Sequence, residues 1–465
     1  MKVVLICVME VYMKKISKSL IFMLCIILIV SGCSKEEKKN DTASNTESGY
    51  ASDVIVNTDK LYDVLGAEDV WRETVSDVNL YAEINVQVGV PDVTNMMVMK
   101  AEPKVYTSEE KKIILLSLTD NQVYKYDEEF VPKEDIQLEI DKTEEVIEYY
   151  SGNTQEAKDN REYYEKLLGE LNDRYSVAPE DYVVADSCDG NKYLISMNDI
   201  KYVVEFNSFS DLNGLAQERT SINIYPLDIR DLNEDKQYDV IGVNDWVRDD
   251  WIAEENITTI TEEDAKELAI DFVAQISDGN FMVYDSYPLK WYGRNMGIIT
   301  EDYWYDGYVV NLCRTISGVE VDYNQYYSGT YYYDETTGEK NSTSGGHGLE
   351  RLHICVTTQG VISLSYENPY IVGDTEAGEV GLLPYGTVKE YIVDELSTGM
   401  YYNGGDYKYM DLIYYPIRDD KTNEYLYIPV WRLVDDKFGW VTQKYILINA
   451  MDGSIINAVN QTTIE

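Results

Sequence analysis

The chain contains only two histidines, His347 and His353, among its 465 residues. It has no H-E-x-x-H motif, which excludes the proteases that hold zinc with two histidines of one helix. His353 and Cys355 fall on one face of a predicted strand, but two histidines and one thiol lack the spacing of a zinc site. We therefore predict no metal and no cofactor, and we interpret His353 as a half-buried strand residue and Cys355 as a small core thiol.

The motifs of other hydrolases are missing too. No G-x-S-x-G sequence occurs, so nothing indicates the nucleophile elbow of a serine hydrolase. The 84 acidic residues make any single pair of carboxylates uninformative, and a glycoside-cleaving carboxylate pair therefore stays open as an alternative. We predict that the protein is not an enzyme.

Positive charge is scarce, because 39 lysines and arginines face 84 acidic residues and the net charge is −45 at pH 7. Proteins that bind nucleic acid need a basic surface against the phosphates, so we expect no nucleic-acid partner. The same acidity repels anionic lipid headgroups, so the folded surface is not expected to hold the protein to a membrane.

Cysteines are few as well. Beyond the N-terminal region the chain has Cys188, Cys313 and Cys355, and this odd number does not make a disulfide framework. One pair could form, but no spacing identifies it.

The acidic stretch DLNEDKQYD has part of the pattern of a calcium-binding loop. Oxygen-bearing side chains stand at the first, third, fifth and ninth positions of that pattern, as Asp231, Asn233, Asp235 and Asp239. Lys236 replaces the glycine of the sharp turn, however, and Gly242 replaces the final glutamate. We interpret the stretch as a solvated linker.

Long apolar runs are absent except for Leu20–Val30, which is shorter than the roughly 20 residues of a bilayer span. Lysines precede it, and the small residues Ser31 and Gly32 lead to Cys33. This order is typical of a secretory signal peptide, with an uncleaved signal anchor as the alternative. The sequence Val-Ser-Gly-Cys resembles the lipobox of bacterial lipoproteins. The resemblance implies cleavage before Cys33, lipidation of its thiol, and anchoring to the extracytoplasmic face of the cell membrane by acyl chains such as palmitate.

The whole chain divides into five predicted segments. Residues 1–32 are the predicted signal peptide, and residues 33–53 are a predicted disordered tether because they carry almost nothing to bury. An N-terminal domain over 54–230 and a C-terminal domain over 258–465 follow, separated by a polar linker over 231–257.

Both predicted domains combine helices with antiparallel strands. The sequence VNLYAEINVQVGV alternates apolar and polar residues and predicts a strand over 78–90, whereas 143–172 has helical periodicity with one break. Thr261 can cap a further helix, and Asp452-Gly453 predicts a hairpin turn. The capped helix is expected to bury a stripe formed by Ala265, Leu268, Ala269, Phe272 and Ile276. The expected fold class is α+β, with two helix-on-antiparallel-sheet domains.

The C-terminal half resembles PepSY-like domains and the related extracytoplasmic regulators of the YycH/YycI type. ITEEDAKELAIDFV (260–273) is similar to their opening helix, and YIPVWRLVDDKFGWVTQKYILINAMDGSII (427–456) is similar to their closing strands. Asn449 and Asp452 stand where the family hairpin usually has aspartate and threonine. The resemblance implies a non-catalytic, PepSY/cystatin-like fold that binds or restrains a partner. The chain is also similar to uncharacterised lipoproteins of Gram-positive bacteria.

Tyrosine is abundant, with 42 residues against 7 phenylalanines. The clusters EDYWYDGY and NQYYSGTYYYDETTG offer Trp304, Tyr305 and Tyr331 as candidate ligand contacts, because exposed aromatic faces stack on sugars and often mark interaction sites. The alternative is a pair of tyrosine-rich hairpins that pack across their strands.

These patterns predict a lipid-anchored extracytoplasmic protein without catalytic activity, which binds or regulates a partner through protein–protein contacts. A surface lipoprotein that binds glycan or peptide is the alternative function, and a carboxylate-pair hydrolase comes third. The expected partners are the membrane, through the lipid anchor, and a protein, or instead a glycan or peptide.

Overall fold

The chain divides into two units, Met1–Val56 and Asn57–Glu465, and the residues described below all belong to the second. The computed structural model describes residues 60–77, 80–119, 122–152, 154–210, 218–228, 232, 239–240, 260–295, 298–323, 330–333, 340–343, 350–373, 381–398, 406–419, 424–435 and 445–456. The predicted signal peptide, the predicted tether and Cys33 lie outside these residues.

Six α-helices and one 3₁₀ helix lie in the described ranges, and none of the α-helices is long and apolar enough to cross a bilayer. The α-helices are α1 (Leu61–Leu65), α2 (Ser108–Leu118), α3 (Lys133–Tyr149), α4 (Gln155–Val177), α5 (Glu262–Ile276) and α6 (Tyr385–Thr398). The 3₁₀ helix covers Glu128–Phe130.

The described strands fall into an N-terminal and a C-terminal group. Those before residue 241 are β1 (Val70–Asp77), β2 (Leu80–Gly89), β3 (Met99–Pro103), β4 (Tyr124–Lys125), β5 (Lys192–Met197), β6 (Ile200–Ser210), β7 (Glu218–Pro226) and β8 (Asp239–Val240). Those after it are β9 (Phe281–Asn295), β10 (Ile298–Ile316), β11 (Val319–Glu320), β12 (Thr330–Tyr333), β13 (Lys340–Thr343), β14 (Arg351–Thr357), β15 (Gly360–Glu367), β16 (Tyr370–Val372), β17 (Asp406–Asp419), β18 (Glu424–Asp435) and β19 (Tyr445–Asn449).

These strands form two large sheets and one small one. The seven-stranded sheet has the order β1-β2-β17-β18-β3-β16, with β19 also beside β18. The ten-stranded sheet has the order β4-β5-β6-β7-β15-β14-β10-β9-β8, with β11 beside β10, and β12 pairs with β13 separately. Neighbouring strands run antiparallel, except that β2 and β17 are parallel. The predicted α+β class is therefore confirmed.

Each large sheet takes strands from both halves of the chain. In the seven-stranded sheet β2 pairs with β17, and in the ten-stranded sheet β7 pairs with β15. The predicted boundary at 231–257 therefore does not separate the two sheets. Local patterning defines a strand, whereas the choice of its neighbour depends on tertiary packing, which the pattern does not contain.

Each large sheet buries one face under two helices. Residues of α1 and α6 pack with the core of the seven-stranded sheet, which includes Ala82, Ile84 and Val86 of β2. The alternating strand predicted at 78–90 is thus confirmed, with these three side chains on the buried face. Residues of α2 and α5 pack with the core of the ten-stranded sheet.

The helix predicted after Thr261 is α5. The Thr261 hydroxyl accepts a hydrogen bond from the backbone N–H of Asp264 at 3.1 Å, which caps the first turn as expected. The buried stripe consists of Ala265, Ala269, Phe272, Val273 and Ile276. Leu268 is 41 % exposed, so its place in the predicted stripe was wrong. The buried stripe is as wide as predicted but is rotated about the helix axis toward Val273, which leaves Leu268 next to solvent.

The helical pattern over 143–172 corresponds to two helices, α3 and α4, that pack against each other. Ile136, Ile140 and Leu171 form the centre of their contact. The predicted break is confirmed, because α3 ends at Tyr149 and Thr154 caps α4 by accepting from the N–H of Ala157 at 3.2 Å. The pair is a helical hairpin.

Two glycines occupy positions that other residues would strain. Gly453 has φ +77° in the predicted Asp452-Gly453 turn, where its N–H donates to the carbonyl of Asn449 at 2.9 Å, so that turn is confirmed. Gly307 has φ +79° in a bulge of β10, and a Cβ there would lie 1.9 Å from the carbonyl oxygen of Val356. Both positions require glycine.

Candidate functional site

Four tyrosines form a continuous aromatic array at the tip of the helical hairpin. We call Tyr149, Tyr150, Tyr163 and Tyr164 the tyrosine tip. The ring centroids of Tyr150 and Tyr164 lie 6.0 Å apart, with the planes 13° from parallel, so one stacked pair joins the two helices. Tyr149 packs edge-on against Tyr150 at 5.1 Å, and Tyr163 packs edge-on against Tyr164 at 5.2 Å.

Arg161 closes the turn that brings these rings together. Its guanidinium donates from Nε to the carbonyl of Tyr150 at 3.1 Å and from Nη2 to the carbonyl of Gly152 at 3.3 Å. The last carbonyls of a helix have no partners within it, and a cation suits the negative end of the helix dipole. The arginine therefore fixes the end of α3 against the first turns of α4.

The tyrosine tip is exposed, and the acidic side chains on the adjoining turns outnumber the basic ones, which are Lys158, Arg161 and Lys166. Tyr149 is 47 % exposed and Tyr163 is 62 % exposed. The exposed carboxylates on the adjoining turns belong to Glu144, Glu145, Glu148, Glu156, Asp159, Glu162 and Glu165. Aromatic faces attract cations, and tyrosine is enriched in protein interfaces. The tip therefore suits a partner surface that carries lysine or arginine.

A second feature crosses the ten-stranded sheet on the face turned away from α2 and α5. Seven polar residues lie directly opposite one another on seven neighbouring strands, and we call them the polar row. In order from β5 to β9 they are Lys192, Glu205, Asn223, Ser365, His353, Asn311 and Asp285. Their chain neighbours, such as Val204, Leu364 and Ile354, point into the core on the other face.

Hydrogen bonds link the members of the polar row. The Asn311 amide donates from Nδ2 to the Asp285 carboxylate at 2.6 Å, and its Oδ1 lies 2.9 Å from Nδ1 of His353. Further along, the Ser365 hydroxyl donates to Oδ1 of Asn223 at 3.1 Å. At the far end Lys192 binds the Glu205 carboxylate at 2.6 Å.

The network fixes the tautomer of His353. Because Nδ2 of Asn311 donates to Asp285, its Oδ1 accepts, and Nδ1 of His353 must carry the proton. Packing around the ring, together with the nearby Arg351 cation, lowers the pKa of His353 to about 4, so the ring is neutral at pH 7. Its Nε2 is a buried acceptor to which no described group donates. Leaving such an acceptor unpaired costs roughly 1–3 kcal/mol.

The Glu205 end of the row is charged and carries an aromatic side chain. Burial raises the pKa of Glu205, but hydrogen bonds from Lys192 and Tyr225 outweigh that effect and lower the pKa overall. The Tyr225 hydroxyl donates to this carboxylate at 2.5 Å, while the tyrosine remains 38 % exposed. The end of the row thus has a paired charge beside an accessible ring.

Two buried arginines connect the two large sheets, and each binds carboxylates that could otherwise be considered for a catalytic pair. Arg314 on β10 donates from Nη2 to Glu350 at 2.7 Å and to the carbonyl of Tyr370, on β16, at 3.1 Å. The Tyr366 hydroxyl donates to the same carboxylate at 2.6 Å. Because Glu350 is buried and engaged by these groups, it holds the sheets together and is not presented to a cleft.

The second arginine, Arg432 on β18, binds three carboxylates. Its Nη2 donates to Asp411 at 2.6 Å and to Glu320 at 3.0 Å, and its Nη1 donates to the buried Asp322. Burial raises the pKa of Glu320 in spite of the arginine. The guanidinium lies among these carboxylates, so they do not face each other across a space for a substrate.

The three aromatic residues singled out from the sequence lie on strands, and the structure describes the backbone of these strands. Trp304 and Tyr305 pair with Trp291 and Lys290 between β10 and β9, and Tyr331 pairs with Ser342 in the small β12–β13 hairpin. The side chains of Trp304, Tyr305 and Tyr331 lie outside the described part of the structure. As ligand contacts they remain a prediction.

Of the other residues that the sequence suggested as ligands or core thiols, only some lie in the ranges that the structure describes. His347 and most of the DLNEDKQYD stretch lie outside the described ranges. Cys355 packs in a small apolar cluster with Val309 and Ile362, as a core thiol does. Cys188 and Cys313 are buried as well, and neither forms a disulfide. Within the ranges that the structure covers, no cluster of three metal-ligating side chains occurs.

Neither the tyrosine tip nor the polar row was identified from the sequence. The tip had a visible signal, since two Tyr-Tyr pairs stand on either side of a helix break. The polar row had no such signal in the sequence, because its members are scattered between residues 192 and 365 and come together only through the order of the strands.

No protein-family model matches the chain, and no curated protein matches it. Among solved structures, the chain is similar to an uncharacterized protein from Eubacterium rectale, with a TM-score of 0.40 and 16 % identity over 85 % of this chain and 98 % of that one.

Proposed function

We propose that the protein is a lipid-anchored binding protein of the extracytoplasmic membrane face, without catalytic activity, that acts through protein–protein contacts. The observation that carries the proposal is the tyrosine tip, an exposed aromatic array on a helical hairpin. The partner is a membrane-associated protein with a basic surface, because the carboxylates around Tyr149 and Tyr163 favour cations. Nucleic acid is not a partner, since the net charge is −45.

The proposal includes a PepSY/cystatin-like architecture, in which a helix packs on the antiparallel strands that follow it. What supports it is the order α5-β9-β10, continued by β14 and β15, with α5 packed on this antiparallel group. The order α6-β17-β18-β19 is a second instance in the other sheet. Such domains bind or restrain partners in the families that the sequence resembles.

Pull-down from detergent-solubilised membranes tests the protein contact. The unchanged protein should retain a membrane protein in stoichiometric amount, and the double variant Tyr149→Ala/Tyr163→Ala should lose it, because removing two interface aromatics commonly costs a factor of ten or more in affinity. Added salt should weaken the contact, since the attraction between the acidic tip and a basic surface is screened.

Val177→Ala is the matched control, because Val177 is an apolar residue of the same hairpin that is 83 % exposed and lies at the end away from the tip. It should leave the retained protein unchanged. Equal retention by the tyrosine double variant, or a contact that salt does not affect, would exclude the tip as the contact surface.

The anchor is tested separately at Cys33. Cells that express the unchanged chain should incorporate labelled palmitate into it, and the Cys33→Ser variant should carry no label and leave the membrane fraction. Absence of label from the unchanged chain would remove the lipid anchor from the proposal without affecting the pull-down result.

A further inference from the structure

We propose that the free edge of β1 is a second interaction surface, at which a partner protein adds an extended segment to the seven-stranded sheet. The segment pairs with β1 through main-chain hydrogen bonds and places a lysine or arginine beside Glu73. The hairpin that carries the tyrosine tip is inserted between β4 and β5 of the other large sheet, so the proposal does not rest on the contact of the tip.

β1 is a long and regular edge strand. It ends the order of the seven-stranded sheet and pairs with β2 over eight residues without a register shift. The strands at the other ends of the two large sheets, β16, β4 and β8, have only three, two and two residues. The edge of β9 beyond β8 is interrupted by Pro288 and by register shifts against β10. Proteins commonly shorten or interrupt exposed edges in these ways to prevent pairing with other chains, and β1 has neither feature.

Every second residue of β1 presents its main-chain groups to the free edge. The carbonyl of Asp69 accepts from the N–H of Val88 at 3.0 Å, so these two residues are a hydrogen-bonded pair of the antiparallel ladder. Bonded and non-bonded pairs alternate along such a ladder, which shows which groups of β1 point away from β2. The residues with outward-facing N–H and carbonyl groups are Val70, Arg72, Thr74 and Ser76. No described strand pairs with them on that side.

The side chains around these groups leave the edge accessible. Arg72 and Thr74 are exposed. The Arg72 guanidinium donates from Nε to Oδ1 of Asn85, on β2, at 3.1 Å, so the cation lies back over the sheet and not along its edge. Glu73 is exposed too, and its carboxylate accepts from the indole N–H of Trp71 at 2.9 Å. An added strand would thus meet free main-chain groups and one fixed carboxylate.

Charge favours a partner segment over a second copy of this chain. If two copies of β1 paired around a two-fold axis at residue 73, the two Glu73 side chains would lie directly opposite each other, and like charges at such positions destabilise a sheet. An axis at Arg72 opposes two arginines, and an axis at Thr74 sets each Glu73 opposite the apolar Val75. Each chain also has a net charge of −45, which repels another copy. A segment with lysine or arginine opposite Glu73 forms an attractive pair instead, at a non-hydrogen-bonded position, where side chains are closest.

The capped peptide Thr-Val-Thr-Lys-Thr-Val-Thr, labelled with fluorescein, tests the proposal on the full chain. Its sequence reads the same in both directions, so its lysine can lie beside Glu73 in either orientation. The unchanged chain should bind it in fluorescence anisotropy, and the same peptide with glutamate in place of lysine should bind about fivefold more weakly. The Glu73→Lys variant should reverse this preference, which separates the specific pair from the general negative charge of the protein.

Thr74→Pro and Thr74→Val are matched variants of the edge. Proline removes the outward N–H of residue 74 but no hydrogen bond between β1 and β2, so it should weaken peptide binding about tenfold while the sheet stays paired. Valine retains that N–H and should bind as the unchanged chain does, and circular dichroism shows whether both variants are folded. Amide hydrogen exchange of the unchanged chain needs no substitution. The N–H groups of Arg72 and Thr74 should exchange fast in the free chain and slowly with the lysine peptide bound.

The proposal is overturned if the lysine peptide does not bind, or if Thr74→Pro binds it as tightly as Thr74→Val. Slow exchange at Arg72 and Thr74 without peptide also overturns it, and this result decides the matter if the proline variant does not fold. Analytical ultracentrifugation covers the other occupant, because dimers of the unchanged chain that Thr74→Pro dissociates would assign the edge to a second copy and not to a partner.

Discussion

The guanidinium of Arg432 binds the carboxylate of Asp322, and in doing so it ties the seven-stranded sheet to the end of β10 in the ten-stranded sheet. Asp322 lies two residues after the short strand β11, which pairs with β10. Its backbone N–H also donates to the carbonyl of Tyr414, on β17, at 2.9 Å. An ion pair that joins two sheets at a buried position is expected to stabilise their association only while both partners are present.

Arg432→Met should therefore destabilise the protein strongly. Arg432 is 2 % exposed, and its loss leaves the buried carboxylate of Asp322 without its cation. We expect the free energy of unfolding to fall by about 3–5 kcal/mol, as for other buried pairs that lose one partner. Urea titration followed by tyrosine and tryptophan fluorescence measures it.

The control is Lys60→Met, which breaks an ion pair with Asp92 whose two side chains are 66 % and 78 % exposed. It should have little measurable effect, since exposed pairs contribute little. Equal small effects of both substitutions would mean that Arg432 does not connect the sheets in solution.

Gly279→Ala and Gly169→Ala should change stability in opposite directions. A Cβ at Gly279 would lie 2.7 Å from Nη1 of Arg314, so the guanidinium must shift away from Glu350. We expect a loss of about 1–3 kcal/mol from this overpacking. A Cβ at Gly169, within α4, meets nothing within 4 Å, and alanine there should stabilise the helix by about 0.5–1 kcal/mol.

Thermal unfolding of the two alanine variants beside the unchanged chain is sufficient to compare them. The interpretation of Arg314 as a fixed guanidinium fails if Gly279→Ala is as stable as Gly169→Ala.

The local elements of this fold could be predicted from the sequence. The cap at Thr261, the alternation in β2 and the Asp452-Gly453 turn each depend on neighbours within a few residues, and all three are confirmed. Leu268 shows the limit of such reasoning, since helical period alone does not define which side of the helix will be turned toward the sheet.

The arrangement of the strands could not be predicted. In β15 the sequence ISLSY shows that Leu364 and Tyr366 share one face and Ser365 the other, and this agrees with their burial. That Ser365 lies opposite Asn223 requires the pairing of β15 with β7, which are separated by more than a hundred residues. Contacts of this kind depend on tertiary packing, so the polar row appears only in the folded structure.

The three described cysteines should be unreactive in the folded protein. Cys188, Cys313 and Cys355 are each at most 2 % exposed, and burial raises the pKa of Cys188 and of Cys313, which lowers their thiolate fraction. Alkylation by iodoacetamide, located by mass spectrometry, should label them at the rate of unfolding and all at once in urea. Rapid labelling of any one of them in native buffer would contradict its burial.

The charge state of His353 should make stability depend on pH in a defined window. An unfolded histidine has a pKa of about 6.5, whereas that of His353 is lowered to about 4 in the folded protein. Between these values the unfolded chain takes up a proton that the folded chain does not, so stability falls as the pH is lowered from about 6.5 to about 4. The total loss is about 3 kcal/mol, and above pH 6.5 the histidine makes no such contribution.

Comparison with His353→Gln isolates this contribution, because the many carboxylates titrate in both proteins and cancel in the difference. The gap in unfolding free energy between the two should change by about 3 kcal/mol across the window. The His347→Gln variant retains a single histidine, so ¹⁵N NMR of its imidazole reports His353 alone. At pH 7 the spectrum should show a protonated Nδ1 and a bare Nε2. A midpoint near 6.5 would mean that the ring is not buried as the structure has it. A proton on Nε2 would mean that the hydrogen bond with Asn311 does not set the tautomer.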